Sequence, residues 1–391
     1  MKNCFLCILL LTLSMQVTAN PQNIEVFLIT CGPGTETYSI YGHSAIRIID
    51  HKNNTDLVYN WGVFDFSTPN FVWKFAKGRL DYMLGVYPYE KFLRDYFFEE
   101  RWVISQKMNL DDSELILMLG LIAENLRPEN IRYRYDFFYD NCSTRIRDII
   151  EKATGNDLIY PPDELKKPPS FRALIRSYQK DYAWMNFGID LLMGYPADRK
   201  ASLRDRMFLP LEMKDALSGS VIRKDNLMIP LLQNPVTELD FADPVVKTGF
   251  FVSPPFVFSM MLIIIIILAG MFRNPGFNFY LDVFVFFILS VLALMMIFFN
   301  FFTDHQQLRW NLNTVWLNPF LILCLASILM NRKGFVWFRI AFFLALIFLM
   351  YPLFFPQHSN NAFVPLIMIL LLRCSVRGGF TWNPLAKVHL T

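Results

Sequence analysis

A histidine and a cysteine in this sequence sit where a thiol nucleophile and its base would sit. His43 lies in Tyr41-Gly42-His43-Ser44, at the mouth of an apolar strand. Cys142 lies in Asn141-Cys142-Ser143-Thr144, at the mouth of a helix. The thiolate is the reactive form of cysteine, and the unpaired N–H groups and positive end of a helix favour it. Arg145 and Arg147 place two further positive charges in the first two turns. The same N–H groups can hold an oxyanion during acyl transfer. A third group is needed to orient the imidazole, and it belongs on the strand after the histidine strand. Asn60 and Asp65 both fall there. A hairpin centred near Asn53 puts Asn60 beside the His43 strand, so Asn60 is preferred and Asp65 is the alternative. His51, His305 and His358 lie in polar loops, and His51, in a hairpin turn, is expected to be solvated.

The elements that must position these residues are legible in outline. Residues 25–30 read as a strand closed by Gly32-Pro33-Gly34. Residues 45–49 and 57–66 read as the two strands of a hairpin. Leu115, Met118, Leu119 and Ile122 recur at helical spacing over 113–125. Ile146, Ile149, Ile150 and Ala153 do the same over 141–153, with Asn141 as N-cap and Gly155 as the stop. Residues 71–102 are dense in aromatics interleaved with charge. They read either as a pair of core helices or as an acyl-chain groove facing a membrane. Short His or Cys spacings for a zinc site are absent, as is a Gly-x-Ser-x-Gly motif. Neither a metal nor a cofactor is expected.

The chain has 391 residues and a formal charge of +3, which carries no nucleic-acid signature. Its 54% hydrophobic content is unevenly placed. Lys2, the apolar stretch 5–13 and Val17-Thr18-Ala19 read as a secretory signal over residues 1–19. An exported domain is expected over 20–250, a transmembrane domain over 251–375 and a cytoplasmic tail over 376–391. Five spans are expected near 254–271, 278–300, 315–330, 336–351 and 362–372, several shorter than the usual length. With residues 20–250 outside, Arg273, Arg332, Lys333, Arg339, Arg373, Arg377 and Lys387 all fall inside. The outside loops around Asp304 to Arg309 and Gln357 to Asn361 are poor in Lys and Arg, so the positive-inside rule holds throughout. Asn311, Asn313, Trp316 and Asn318, at the outside end of the third span, read as headgroup contacts or as interfacial anchors.

Cysteine usage leaves one rival to the nucleophile. Cys4 and Cys7 leave with the signal, and Cys324 and Cys374 lie in or beside spans. Cys31 and Cys142 remain in the exported domain, where a disulfide between them is the alternative.

Three motifs together, residues 41–48 (YGHSAIRI), 60–66 (NWGVFDF) and 141–148 (NCSTRIRD), resemble the Lnb family, the Bacteroidota-type lipoprotein N-acyltransferases. The resemblance runs on through Thr303-Asp304-His305, Asn311-Leu312-Asn313 and Asn318-Pro319. It implies an α+β permuted papain-like exported domain, related to NlpC/P60 and lecithin:retinol acyltransferase-like folds, followed by an all-α bundle of about five spans. It implies an inner-membrane, multi-pass enzyme in which Cys142 takes an acyl chain from a phospholipid as a thioester. His43 is the implied base and Asn60 the candidate orienting residue. The implied acceptor is the α-amino group of a diacylglyceryl-cysteine lipoprotein. Tyr41, Asn141, His305 and Asn313 are the further residues expected at the substrate. Competing readings are a phospholipase or thioesterase with the same pair, and a peptidoglycan peptidase, for which a single anchor would suffice. A non-catalytic scaffold with a Cys31–Cys142 disulfide is the remaining one.

Overall fold

Near-continuous apolar strands and capped amphipathic helices build the first part of the chain. The computed structural model describes residues 23–225, 227–272, 274–332, 334–350 and 357–380. The expected signal over 1–19, with Cys4 and Cys7, lies outside the described residues, as do Arg273, Lys333, Tyr351, Lys387 and the tail from 381.

The order begins with strands β1 (Ile24–Cys31), β2 (His43–Asp50) and β3 (Thr55–Val63) and helix α1 (Phe71–Ala76). There follow β4 (Asp81–Pro88), α2 (Tyr89–Phe98), β5 (Val103–Lys107), α3 (Asp112–Asn125), β6 (Arg132–Arg134) and α4 (Cys142–Thr154). The domain continues with β7 (Leu158–Ile159), α5 (Phe171–Gln179), α6 (Ala183–Leu192), α7 (Leu203–Arg206) and α8 (Pro210–Ser218). Strands β8 (Val221–Lys224), β9 (Leu227–Pro230) and β10 (Val236–Leu239) complete it. Seven strands form an antiparallel sheet in the order β10-β5-β1-β2-β3-β4-β6. β7, β8 and β9 form a second, smaller sheet.

Both faces of the large sheet are covered, which is why the middle of β1, residues 26–29, reads as a continuous apolar run rather than an alternation. On one face Val26, Leu28, Ile46 and Trp61 pack with Met118 and Ile122 of α3 and Ile146 and Ile150 of α4. On the other, Ile29, Cys31, Ala45 and Val58 meet Tyr89, Phe92 and Tyr96 of α2 and its entry. Helices α3 and α4 both start with a capping box, Asp111 with Glu114 and Asn141 with Thr144. The aromatic segment differs from the expected helix pair. Strand β4 separates α1 from α2, and α1 has no buried residue.

Among the described residues five apolar helices follow: α9 (Pro254–Met271), α10 (Pro275–Phe301), α11 (Phe320–Leu329), α12 (Phe335–Met350) and α13 (Phe363–Arg377). By length and composition Pro254–Met271, Pro275–Phe301 and Leu312–Leu329 are long enough to cross a membrane, while Phe335–Met350 is shorter. Asp282, fully buried near the start of α10, accepts from Arg373 and Arg377 at the end of α13, each at 2.5 Å. Arg339 near the start of α12 donates to Gly378 O at 2.8 Å. These ends therefore share one side of the bundle.

The opposite side is built into the first domain. Leu191 of α6 is part of the bundle core, with Phe187 and Leu192 packed against it. Asn311 Nδ2 donates to Leu191 O and Leu192 O at 2.8 Å, and Asn313 Nδ2 donates to Asp190 O and Leu191 O at 3.3 and 3.0 Å. Asn360 Nδ2 donates to the buried Asp190 carboxylate at 2.8 Å. The two loops expected to lie outside are thus the loops that grip the first domain.

Candidate active site

Strand β2 opens at His43 immediately after Gly42, whose φ of +78° turns the chain into the sheet. A Cβ on Gly42 would also stand 2.8 Å from Cys31 O. The His43 Nε2 and Asn60 Oδ1 atoms are 2.6 Å apart. An amide oxygen only accepts, so this contact assigns the proton to Nε2 and leaves Nδ1 for the thiol. Asn60 is on β3, opposite Gly85 of β4. Asp65 lies beyond the end of that strand, where its carboxylate accepts from Ser67 N at 2.8 Å and Ser67 Oγ at 2.7 Å. The residue preferred from the hairpin register is the one that meets the imidazole.

Cys142 is the first residue of α4 and 8% exposed. Burial pushes its thiol up, but the His43 charge and hydrogen bond, the Ser44 N–H and the Ser143 hydroxyl outweigh this and lower it below the ordinary thiol. Burial likewise pulls His43 down. The neighbouring Cys142 charge, its hydrogen bond and Asn60 outweigh that pull and raise the imidazole above its usual value. Both shifts favour a thiolate–imidazolium pair. Ser44 Oγ and Ser143 Oγ are 3.3 Å apart, which ties the start of β2 to the start of α4. Among the described residues, the N–H groups of Cys142 and Ser143 have no protein acceptor. They remain open at the positive helix end.

A family model described as the Lnb N-terminal periplasmic domain matches residues 12–176, and one described as the Lnb transmembrane domain matches residues 246–381. Together they take in about three quarters of the chain. The chain belongs to the Lnb family. It is a membrane protein of lipoprotein processing with a periplasmic domain. No curated protein and no solved structure matches it.

Other residues expected in this Lnb site are elsewhere or differently employed. Arg145 is held by Asp140 at 2.5 and 2.9 Å, and Arg147 by Asp148 at 2.9 and 2.7 Å. The charge that lowers Cys142 therefore comes from His43 and not from the arginines. Asn141 is 2% exposed; its Oδ1 accepts from Thr144 N at 2.9 Å, and its Nδ2 donates to Phe137 O and Phe208 O at 2.8 Å. With both ends engaged, it ties the start of α4 to the backbone at Phe137 and Phe208. Tyr41 packs its ring on Phe137 and Tyr178 and accepts from Gln179 Nε2 at 2.6 Å. Asn313 is fully buried between α6 and the bundle. His305 bonds Phe75 O through Nε2 at 2.9 Å, at the join between α1 and the bundle. His51 is exposed, 3.5 Å from Glu25. Cys31 and Cys142 are both free thiols.

Two contributors are absent from the expected set. Gly62 has φ +90° at a bulge in β3, and a Cβ there would lie 3.7 Å from Cys142 Cβ. Its signal was in plain view, a glycine inside a strand two residues after Asn60. Asp136 accepts from the backbone of Phe138 and Tyr139 at 2.9 and 3.0 Å, and also from Gln307 Nε2 of the bundle loop. No local pattern pairs residues so far apart in sequence.

Proposed function

We propose that this Lnb-family chain is a lipoprotein N-acyltransferase working through a Cys142 thioester. The observation that carries the reading is the Cys142–His43–Asn60 arrangement at an open helix start. His43 takes the thiol proton, and the thiolate attacks a phospholipid ester carbonyl. The N–H groups of Cys142 and Ser143, which have no protein acceptor among the described residues, donate to the oxyanion. As the intermediate collapses, the alkoxide of the lysophospholipid leaves with the His43 proton. The α-amino group of a diacylglyceryl-cysteine then attacks the thioester. His43 accepts the amine proton and the thiolate is expelled, ready for the next cycle. Dividing the ester-to-amide exchange in two lowers each barrier.

In this reading the fold is permuted papain-like, with histidine ahead of cysteine. Residues 1–19 are the signal, 20–250 the periplasmic enzyme, 251–375 a five-span bundle in the inner membrane and 376–391 the cytoplasmic tail. No cofactor takes part. The test is mass spectrometry of a lipoprotein N-terminus from cells expressing the chain or Cys142→Ser. A Cys142-dependent N-acyl group supports the proposal. Free fatty acid release without lipoprotein acylation means water is the acceptor and the enzyme is a hydrolase.

A further inference from the structure

One row of rings leads from the thiol to the bundle. Tyr135 lies 3.8 Å from a Cβ placed on Gly62, and that same Cβ would be 3.7 Å from Cys142. Tyr135 stacks on Tyr82 at 4.2 Å, and Tyr82 meets Phe64 at 5.2 Å. Phe64 contacts Phe66 at 5.0 Å, Phe66 contacts Phe71 at 5.0 Å, and Phe71 lies parallel to Phe75 at 6.4 Å. On the same helix, Trp73 stacks at 5.5 Å on Phe298, a residue of the span α10.

The inner end of this row is more covered than the outer end, where half-buried Phe71 lies between two exposed rings. Tyr135, Tyr82 and Phe64 are half-buried, whereas Phe66 is 67%, Trp73 55% and Phe75 53% exposed. Helix α1 has no fully buried residue, and the Lys77 ammonium that follows it sits over the Trp73 ring at 4.9 Å. A contiguous apolar strip of this kind is unfavourable in water and marks a surface with an occupant. The strip continues onto a membrane-spanning helix, which selects a lipid chain as that occupant. Aromatic side chains with flanking lysines are at home at a bilayer interface.

We propose that Phe64, Phe66, Phe71, Phe75, Tyr82 and Tyr135 form a ramp that receives one fatty acyl chain of a bilayer phospholipid and lays its carbonyl end beside Cys142. The ramp rests on the acyltransferase reading for its purpose but not for its occupancy. A chain drawn along it leaves the bilayer without passing through bulk water. The absence of a side chain at Gly62 keeps the upper end open to the thiol.

The test uses full-length Cys142→Ser protein in phosphatidylethanolamine vesicles doped with a phospholipid carrying a diazirine in mid-chain. After irradiation, peptide mass spectrometry is expected to find label on residues 64–75 and on Tyr82 or Tyr135. Label confined to residues 254–377, or cross-links only to a second copy of the chain, overturns the ramp. A functional arm compares Phe64→Ser/Phe71→Ser with the unaltered chain. Thioester formation from a palmitoyl phospholipid should fall by about tenfold or more. Acetylation of Cys142 by a water-soluble acetyl thioester and its alkylation by iodoacetamide should stay within about twofold. Equal loss with both donors overturns the proposal. A labelled ramp without lipoprotein acylation sinks the acyltransferase reading alone, and acylation without a labelled ramp sinks the ramp alone.

Discussion

The two cysteines of the periplasmic domain share one histidine and have opposite chemistry. Cys31 is the direct cross-strand partner of His43. It is fully buried, and burial pushes its thiol up to about 12 despite the nearby Arg101 charge. Cys142 approaches from a helix start and is lowered by the same histidine that flanks Cys31. Proximity to an imidazole therefore does not make a nucleophile. What differs is the stabilisation of the anion: a hydrogen bond from the imidazole, the Ser44 N–H, the Ser143 hydroxyl and a helix end on one side, and an apolar sheet face on the other.

Substitution should separate the two thiols most sharply. Cys142→Ala should reduce lipoprotein N-acylation to background, a loss of roughly four orders of magnitude or more by analogy with other nucleophile deletions. Cys31→Ala should retain most of the activity. Comparable losses in both, measured as N-acylated lipoprotein, would break the comparison. His43→Ala should cost about a hundredfold to ten-thousandfold, and His51→Ala should cost almost nothing. It should also return the Cys142 alkylation profile towards that of an ordinary thiol, which iodoacetamide rates against pH would record.

The pH dependence has two limbs with defined signs. Cys142 is lowered, so its thiolate persists to lower pH than an unperturbed thiol. His43 is raised, so its imidazolium persists to higher pH than a free histidine. Activity that uses the pair is bounded by thiol protonation on the acid side and by loss of the imidazolium on the alkaline side. Asn60 raises His43, so Asn60→Ala should bring the alkaline limb down. The loss of one hydrogen bond to a charged ring should lower the rate by about tenfold to a hundredfold. An unmoved alkaline limb would remove Asn60 from the set. The smallest effects are on stability. Gly62→Ala places a Cβ where φ is +90° and should cost about 1–3 kcal/mol in a thermal melt. Cys31→Ala should cost about 1 kcal/mol, the price of a small cavity.

The site was readable where local rules governed it. Asn60 followed from hairpin register, and the start of α4 followed from an Asn N-cap and an Ile/Ala stripe. The alternative, Asp65, is away from the imidazole because strand β3 ends at Val63, two residues short of it. Arg145 and Arg147 are paired with Asp140 and Asp148, carboxylates that stand close to them in the same stretch of sequence. Tyr41, Asn141 and Asn313 carry polar atoms in motif-like settings, yet they satisfy other buried polar groups, a demand invisible without the fold. The strand between α1 and α2 was hidden because Asp81–Pro88 is short and sits between two aromatic-rich helices, with Tyr82 and Tyr87 continuing their pattern.

Asparagine side chains of the bundle close the carbonyl end of α6, and Gln307 holds the turn just before Cys142. Translation runs in the other direction. The periplasmic half leaves the ribosome first, so its catalytic turn waits for partners that are not yet synthesised. A chain halted before residue 307 would expose the α6 carbonyls and leave Asp136 with only its two backbone donors, Phe138 and Tyr139. The turn before Cys142 thus takes part of its support from a segment that is made after it.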